Sequence, residues 1–226
     1  MGLKRMAPEV VVALDVPTLQ EARRLVALLR PAVRWFKVGL ELFTAAGPAA
    51  VEAVRAEGGM VLLDLKVHDI PRTAAAAVRG AAQLGVDALT LHLAGGEAMA
   101  DAAVAAGRAA GGPRLLGVTR LTSEPGALMD LPCAAAAMAA SAAKVGLDGV
   151  VASVHEAPAI RAACPPPFLI VAAGIRPLGT PADDQARVGT PAAAARAGCD
   201  LIVVGRPVIR APDPLQAVAA IKEEMV

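Results

Sequence analysis

The sequence predicts an α/β protein folded as a (β/α)8 TIM barrel, a single domain over residues 1–226. Three observations predict it. A β-branched apolar run followed by an amphipathic stretch recurs eight times, at about 28 residues per unit, the size of one strand–helix unit. The strand segments are near-continuous apolar runs, as parallel strands covered on both faces require. Finally, Gly85-Val86-Asp87, Gly146-Leu147-Asp148 and Gly198-Cys199-Asp200 are near-copies in equivalent places, the mark of repeated units. A doubly wound open sheet is the alternative, and eight units favour closure.

The first strand spans 10–16, and the amphipathic stretch 18–30 after it ends at Pro31, which cannot continue a helix. Strand 34–39 and helix 45–57 form the second unit. Strand 60–67 and helix 71–84 form the third, with Pro71 suited to a first helical turn. Strand 88–92 with helix 97–108 follows, then strand 114–120 with helix 132–145. Strand 149–154 leads to helix 156–163, strand 168–174 to helix 191–197, and strand 201–205 to helix 213–224. Gly58, Gly85, Gly146 and Gly198 stand where helices end and supply the left-handed cap. Two connections, 122–131 and 176–190, are longer than barrel connections usually are, and loops of that length often serve as lids or ligand clamps.

Composition narrows the function. Hydrophobic residues make up 56% and charged residues 19%, which builds a large core and argues against disorder. A net charge of +1 argues against nucleic acid as a partner, because phosphate-backbone binding needs a basic excess. Cys133, Cys164 and Cys199 are odd in number and far apart, fitting neither a disulfide framework nor a zinc cluster and suiting a reducing cytoplasm. Residues 1–9 hold no signal-type apolar core, and no apolar run is long enough to span a membrane. A soluble cytoplasmic protein is the expectation.

In a barrel of this kind the chemistry sits at the C-terminal ends of the strands. The polar residues there are Asp15, Lys37, Asp64, Lys66, His92, Thr119, Arg176, Gly205 and Arg206, in strands otherwise nearly free of charge. A structural ion-pair layer would read the same way, but such layers are more natural at the opposite end. The densest cluster is Asp64-Leu65-Lys66-Val67-His68-Asp69-Ile70-Pro71-Arg72-Thr73. Strand alternation puts Asp64 and Lys66 on one face, into the barrel mouth, while Asp69 lies past the strand end and reaches elsewhere, a neighbouring subunit included. A lysine flanked by carboxylates stays protonated, each contact worth roughly 4 kcal/mol at about 4 Å before desolvation. Such a lysine is a poor nucleophile and a good proton donor, which weighs against Schiff-base chemistry and favours protonating a carbanion.

A second group suggests a phosphate clamp. Gly205-Arg206-Pro207 follows the last strand, where barrels commonly hold phosphate. Alone it reads as a strand-to-loop turn; with Arg176 and Gln185 on the long loop, phosphate is the better reading. Gly95-Gly96 reads as a tight turn, His68 and His155 as loop residues, and His92 equally as a structural or a catalytic histidine. No His, Cys and carboxylate spacing suggests a metal site.

These residues resemble the orotidine 5′-phosphate decarboxylase family, of the bacterial type. Asp-Leu-Lys-x-His-Asp-Ile-Pro-x-Thr at 64–73 is similar to its signature, Val12-Ala13-Leu14-Asp15 to its first strand and Lys37-Val38-Gly39 to its second. Val118-Thr119-Arg120-Leu121-Thr122-Ser123 resembles its fifth-strand motif. Gly174-Ile175-Arg176-Pro177 with Asp184-Gln185 resembles the phosphate loop, and Gly205-Arg206-Pro207 the last-strand motif. The matches run in the family's order from residue 12 to 207.

The resemblance implies that Lys66 protonates C6 of the product carbanion, with Asp64 against the substrate carboxylate and holding Lys66. It implies that Asp69 and Thr73 reach into a neighbouring subunit's site, making a homodimer. Asp15 and Lys37 would bind ribose hydroxyls, with Lys37 also in the charged network, and Thr122 would contact the pyrimidine. Arg176, Gln185, Arg206 and the Gly205 N–H would hold phosphate. It implies neither metal nor organic cofactor, and a small-molecule nucleotide as substrate.

The chain departs from the family's pattern at Val67, Arg72 and Ala172-Ala173, where an aromatic, Asn and Thr-Pro are common, and 122–146 is short. Sister barrels, the metal-dependent sugar-phosphate decarboxylases and hexulose-phosphate synthases, share Asp-x-Lys-x-x-Asp. They have Ala-Gly or similar in place of Ile70-Pro71 and an acidic metal ligand near Lys37. A non-catalytic barrel binding a nucleotide phosphate is the rival of another class, and it gains nothing from two carboxylates near an anion.

Overall fold

The computed structural model describes residues 7–121, 131–180 and 187–226. Eight parallel strands close into one barrel in chain order: β1 (Glu9–Ala13), β2 (Trp35–Gly39), β3 (Met60–Val67), β4 (Ala88–His92), β5 (Arg114–Val118), β6 (Gly149–Ser153), β7 (Leu169–Ala173) and β8 (Leu201–Val204). Closure runs through β1 and β8, with Val11 opposite Val203, which rules out the open doubly wound sheet. The helices are α1 (Leu19–Leu29), α2 (Leu40–Ala46), α3 (Pro48–Ala56), α4 (Pro71–Leu84), α5 (Gly96–Ala110), α6 (Leu131–Val145), α7 (Ala157–Ala163), α8 (Pro191–Ala197), α9 (Arg206–Ile209) and α10 (Pro214–Glu224). Among the described residues, no helix is long and apolar enough to cross a membrane.

Strand alternation builds two apolar layers. Val11, Trp35, Leu62, Leu116, Val171 and Leu201 meet inside the barrel and plug it. Their chain neighbours, such as Val10, Val12, Leu63 and Ile170, pack in a second cluster with helix residues such as Leu25, Leu29 and Val54. On α1 the buried face is Ala22, Leu25, Val26 and Leu29, the spacing of one helical stripe. Thr18 starts that helix by accepting the Glu21 N–H at its side chain. Proline opens the first turn of α3, α4, α8 and α10, where a missing N–H leaves no bond unmade.

The Gly-x-Asp triplets turn out to be stitches at the base of the barrel. Gly85 and Gly198 take left-handed conformations and end α4 and α8. Two residues on, the Asp87, Asp148 and Asp200 carboxylates accept the N–H groups of Val61, Leu115 and Ile170, each at 2.7 Å. Their carbonyls accept the N–H groups of Arg114, Leu169 and Glu9. Each aspartate therefore ties the strand it precedes to both neighbours and satisfies backbone donors that burial would otherwise orphan.

Three differences from the sequence reading have physical reasons. The single helix expected over 45–57 is two, because Gly47 takes φ 57° and Pro48 then opens a new first turn. Several strands stop one to three residues earlier than the apolar run; Leu14 and Val16, for example, are buried without being in a strand. A short helix, α9, follows β8 directly and carries Arg206 at its first position.

Candidate active site

Above the apolar plug, at the C-terminal ends of the strands, opens a cavity of about 220 Å3. Its charged wall comes from Asp15 just after β1, Lys37 on β2, and Asp64 and Lys66 on β3. Lys37 Nζ lies 2.9 Å from Asp15 Oδ1 and 3.6 Å from Asp64 Oδ2, and Lys66 Nζ lies 2.9 Å from the same Asp64 oxygen. The result is a chain of alternating charge: Asp15, Lys37, Asp64, Lys66. Two glycines leave room for it. A Cβ on Gly39 would stand 2.7 Å from Lys37 Nζ, and one on Gly205 would stand 3.3 Å from Asp15 Oδ2.

Burial shapes the charges. Desolvation alone would raise the Asp64 carboxyl, but Lys37 and Lys66, with hydrogen bonds from Lys66 and Thr90, more than offset it and hold it below the usual carboxylate range. Desolvation would likewise lower Lys37, yet the Asp15 and Asp64 carboxylates raise it above the ordinary lysine value. Both groups are therefore charged at neutral pH.

Thr90 holds the centre of this array. Fully buried on β4, it donates its hydroxyl to Asp64 Oδ1 at 2.9 Å, and its oxygen accepts the Lys66 backbone N–H at 2.9 Å. The pairing of β3 with β4 shifts register between Leu63 and Val67. Within that irregularity Lys66 takes φ 49°, the left-handed region that costs a side-chain-bearing residue about 1–3 kcal/mol. Sequence reasoning missed Thr90, whose only signal is a polar residue at an inward position of an apolar strand. It also missed Arg120 and Leu121, which line the cavity beyond β5.

The remaining expected residues fall into three groups. Arg176 follows β7 and Arg206 follows β8, so the neighbouring strands bring them to the same side of the mouth. Arg176 is buried, its backbone N–H donating to the Gly189 carbonyl at 2.9 Å and its Nη1 to the Ile175 carbonyl at 3.0 Å. Neither arginine lines the cavity itself, whereas Gly205 does.

Asp69 and Thr73 form the second group and stand apart from the array. Among the described residues no ion pair joins Asp69 to Lys66; the Asp69 carboxylate is exposed and accepts the Ile70 N–H at 2.7 Å. Thr73 sits in the first turn of α4 beside Ile70, which is 60% exposed. Thr122 and Gln185, the third group, lie outside the described residues.

Thr119, a strand-end candidate, is buried with its hydroxyl on the Val151 carbonyl. His92 stacks on His68 at 5.5 Å between ring centroids, and its Nδ1 accepts the Ala94 N–H. Among the described residues, no group of three or more His, Cys, Asp or Glu side chains could hold a metal ion.

A closed barrel with lysines and carboxylates alternating at its C-terminal mouth defines a class of protein: a barrel enzyme built around a preorganised charge array. The profile of the orotidine 5′-phosphate decarboxylase / HUMPS family matches residues 8–221, and the chain belongs to that family. It is 48% identical over 231 residues to an orotidine 5′-phosphate decarboxylase of Moorella thermoacetica, covering 96% of this chain and 92% of that one. An orotidine 5′-phosphate decarboxylase of Anaeromyxobacter sp. (strain K) is 49% identical over 217 residues, 92% of this chain and 94% of that one. The crystal structure of orotidine 5′-phosphate decarboxylase from Lactobacillus acidophilus superposes with a TM-score of 0.82 at 33% identity, covering 96% of this chain and 99% of that one.

Proposed function

We propose that this enzyme decarboxylates orotidine 5′-phosphate to uridine 5′-phosphate, a carboxy-lyase step of pyrimidine biosynthesis, using no metal and no organic cofactor. The observation that carries the reading is the Asp15–Lys37–Asp64–Lys66 array on the cavity wall. With the substrate carboxylate against Asp64, the bond from C6 to the carboxylate carbon breaks, carbon dioxide leaves, and the electron pair stays on C6. Lys66 Nζ gives its proton to that carbon and is reprotonated from solvent. An array fixed before substrate arrives stabilises this shift of charge without reorganising, which is where most electrostatic catalysis originates. Asp64 contributes by holding Lys66 in place and by making the substrate carboxylate unwelcome beside it.

In the same reading Asp15 and Lys37 bind ribose hydroxyls and Thr122 the pyrimidine. Arg176, Gln185, Arg206 and the Gly205 N–H hold phosphate, whose binding energy positions the base. Asp69 and Thr73 complete the site of a second copy. Their separation from Lys66 in one chain, and the exposed Ile70 between them, support a homodimer with shared sites.

Lys37 weighs against the metal-dependent sugar-phosphate enzymes of the same family. Its ammonium stands between Asp15 and Asp64, where a divalent cation would have to sit. A non-catalytic nucleotide binder is disfavoured because it gains nothing from carboxylates such as Asp64 beside an anionic ligand.

Orotidine 5′-phosphate mixed with chelator-treated protein tests the reading, followed by loss of its ultraviolet absorbance. Turnover without metal is expected, as is regained turnover when inactive Lys66→Ala and Asp69→Ala proteins are mixed and exchange subunits. A folded protein that leaves orotidine 5′-phosphate intact but acts on sugar phosphates with Mg²⁺ overturns it.

A further inference from the structure

One buried ion pair near the mouth takes no part in the chemistry above. Glu156, in the turn between β6 and α7, and Arg187, ahead of α8, are both buried, and the Arg187 guanidinium pairs with the Glu156 carboxylate. Burying two charges carries a large desolvation cost before their attraction is counted, and apolar residues of like size often hold a fold as well. Stability alone therefore does not explain the pair, and its other contacts do. Arg187 Nη2 donates to the Leu121 carbonyl at 3.0 Å, beyond β5. The Glu156 carboxylate accepts the Ser153 N–H at 3.1 Å, at the end of β6. Beside it, His155 Nε2–H donates to the Val188 carbonyl at 2.9 Å.

Gly189, next in line, donates its N–H to the Gly174 carbonyl and accepts the Arg176 N–H. A Cβ there would meet Val154 at 2.6 Å, so this segment lies flush on the β6–α7 turn. One guanidinium thus ties together the chain after β5, β6 and β7. Its acceptor Leu121 directly precedes Thr122 in sequence, Arg187 itself stands two residues past Gln185, and the neighbouring Gly189 accepts the Arg176 N–H.

We infer that Arg187 and Glu156 are positioning residues that fix the cavity wall at Leu121, after β5, against the segment after β7 that carries Arg176. The inference rests on the proposed orotidine 5′-phosphate reading. Phosphate binding energy reaches the reacting carbon only if the two segments are rigidly joined, and small misplacements far from the chemistry are expensive in rate.

The test compares orotidine 5′-phosphate with orotidine, which lacks the phosphate, as substrates of the double variant Glu156→Gln/Arg187→Met. Removing both charges leaves no unpaired ion to unfold the barrel. For orotidine 5′-phosphate, kcat/KM falls roughly 10- to 100-fold, while the much slower turnover of orotidine is unchanged. Arg187→Lys keeps the pair with Glu156 but supplies no second planar donor for Leu121, and it recovers part of the loss. Equal losses on both substrates, or none on either, overturn the inference. Wild-type protein that fails to turn over orotidine 5′-phosphate counts against the function itself, not against the strut.

Discussion

At the scale of single residues, the site depends on Asp64 keeping its charge beside two lysines. Its folded-state value lies below the ordinary 3.8, so its contribution to stability is complete above 3.8 and is lost as pH falls through the lower folded value. Lys37 is raised above its ordinary 10.5, so its contribution is complete below 10.5 and is lost as pH rises through the higher folded value. The Asp64 and Lys37 charges therefore both persist across the neutral range. Thr90→Val removes a hydrogen bond to Asp64 and the acceptor for the Lys66 N–H. Activity should drop roughly 10- to 100-fold, and the acid limb of the pH–rate profile should move upward, because Asp64 loses a bond to its charged form. An unmoved acid limb would leave Thr90 a purely structural role. Asp15, Lys37, Asp64 and Lys66 were legible in the sequence because charge on apolar strands is conspicuous. Thr90 was not, since a threonine in a strand is ordinary and its importance comes from a register shift that only three dimensions reveal.

At the scale of elements, the repeats were legible but their meaning was not. The three Gly-x-Asp triplets marked equivalent places in the sequence, while the cross-strand bonds of Asp87, Asp148 and Asp200 depend on which strands become neighbours. Asp148→Ala leaves the Leu115 N–H without its partner at the base of the barrel, far along the strand from the cavity. It should lower the unfolding free energy by about 1–3 kcal/mol in urea titrations while leaving kcat unchanged. A variant as stable as the parent would show that water or a neighbour replaces the carboxylate. The break at Gly47-Pro48 was readable from turn chemistry, but the apolar spacing across it mimics one helix. Ala173 lines the cavity where the family commonly carries proline, so that departure bears on the cavity wall rather than on the charges.

At the scale of the whole molecule, closure followed from counting eight units, because eight parallel strands fill a barrel interior with side chains alone. The plug of Val11, Trp35, Leu62 and Leu116 fills the barrel interior beneath the cavity at the C-terminal strand ends, where the charged side chains gather. Asp69 and Thr73 stood out in the sequence as signature residues, and their place beside the exposed Ile70, apart from the array, is what the proposed homodimer accounts for. The central claim, that this molecule uses Lys66 to protonate C6 of a pyrimidine nucleotide, implies the reverse step as well. Uridine 5′-phosphate held in the site in D2O should slowly exchange its C6 hydrogen for deuterium, read by proton NMR. The account predicts exchange with the wild type and none above background with Lys66→Ala; equal exchange by both proteins would contradict it.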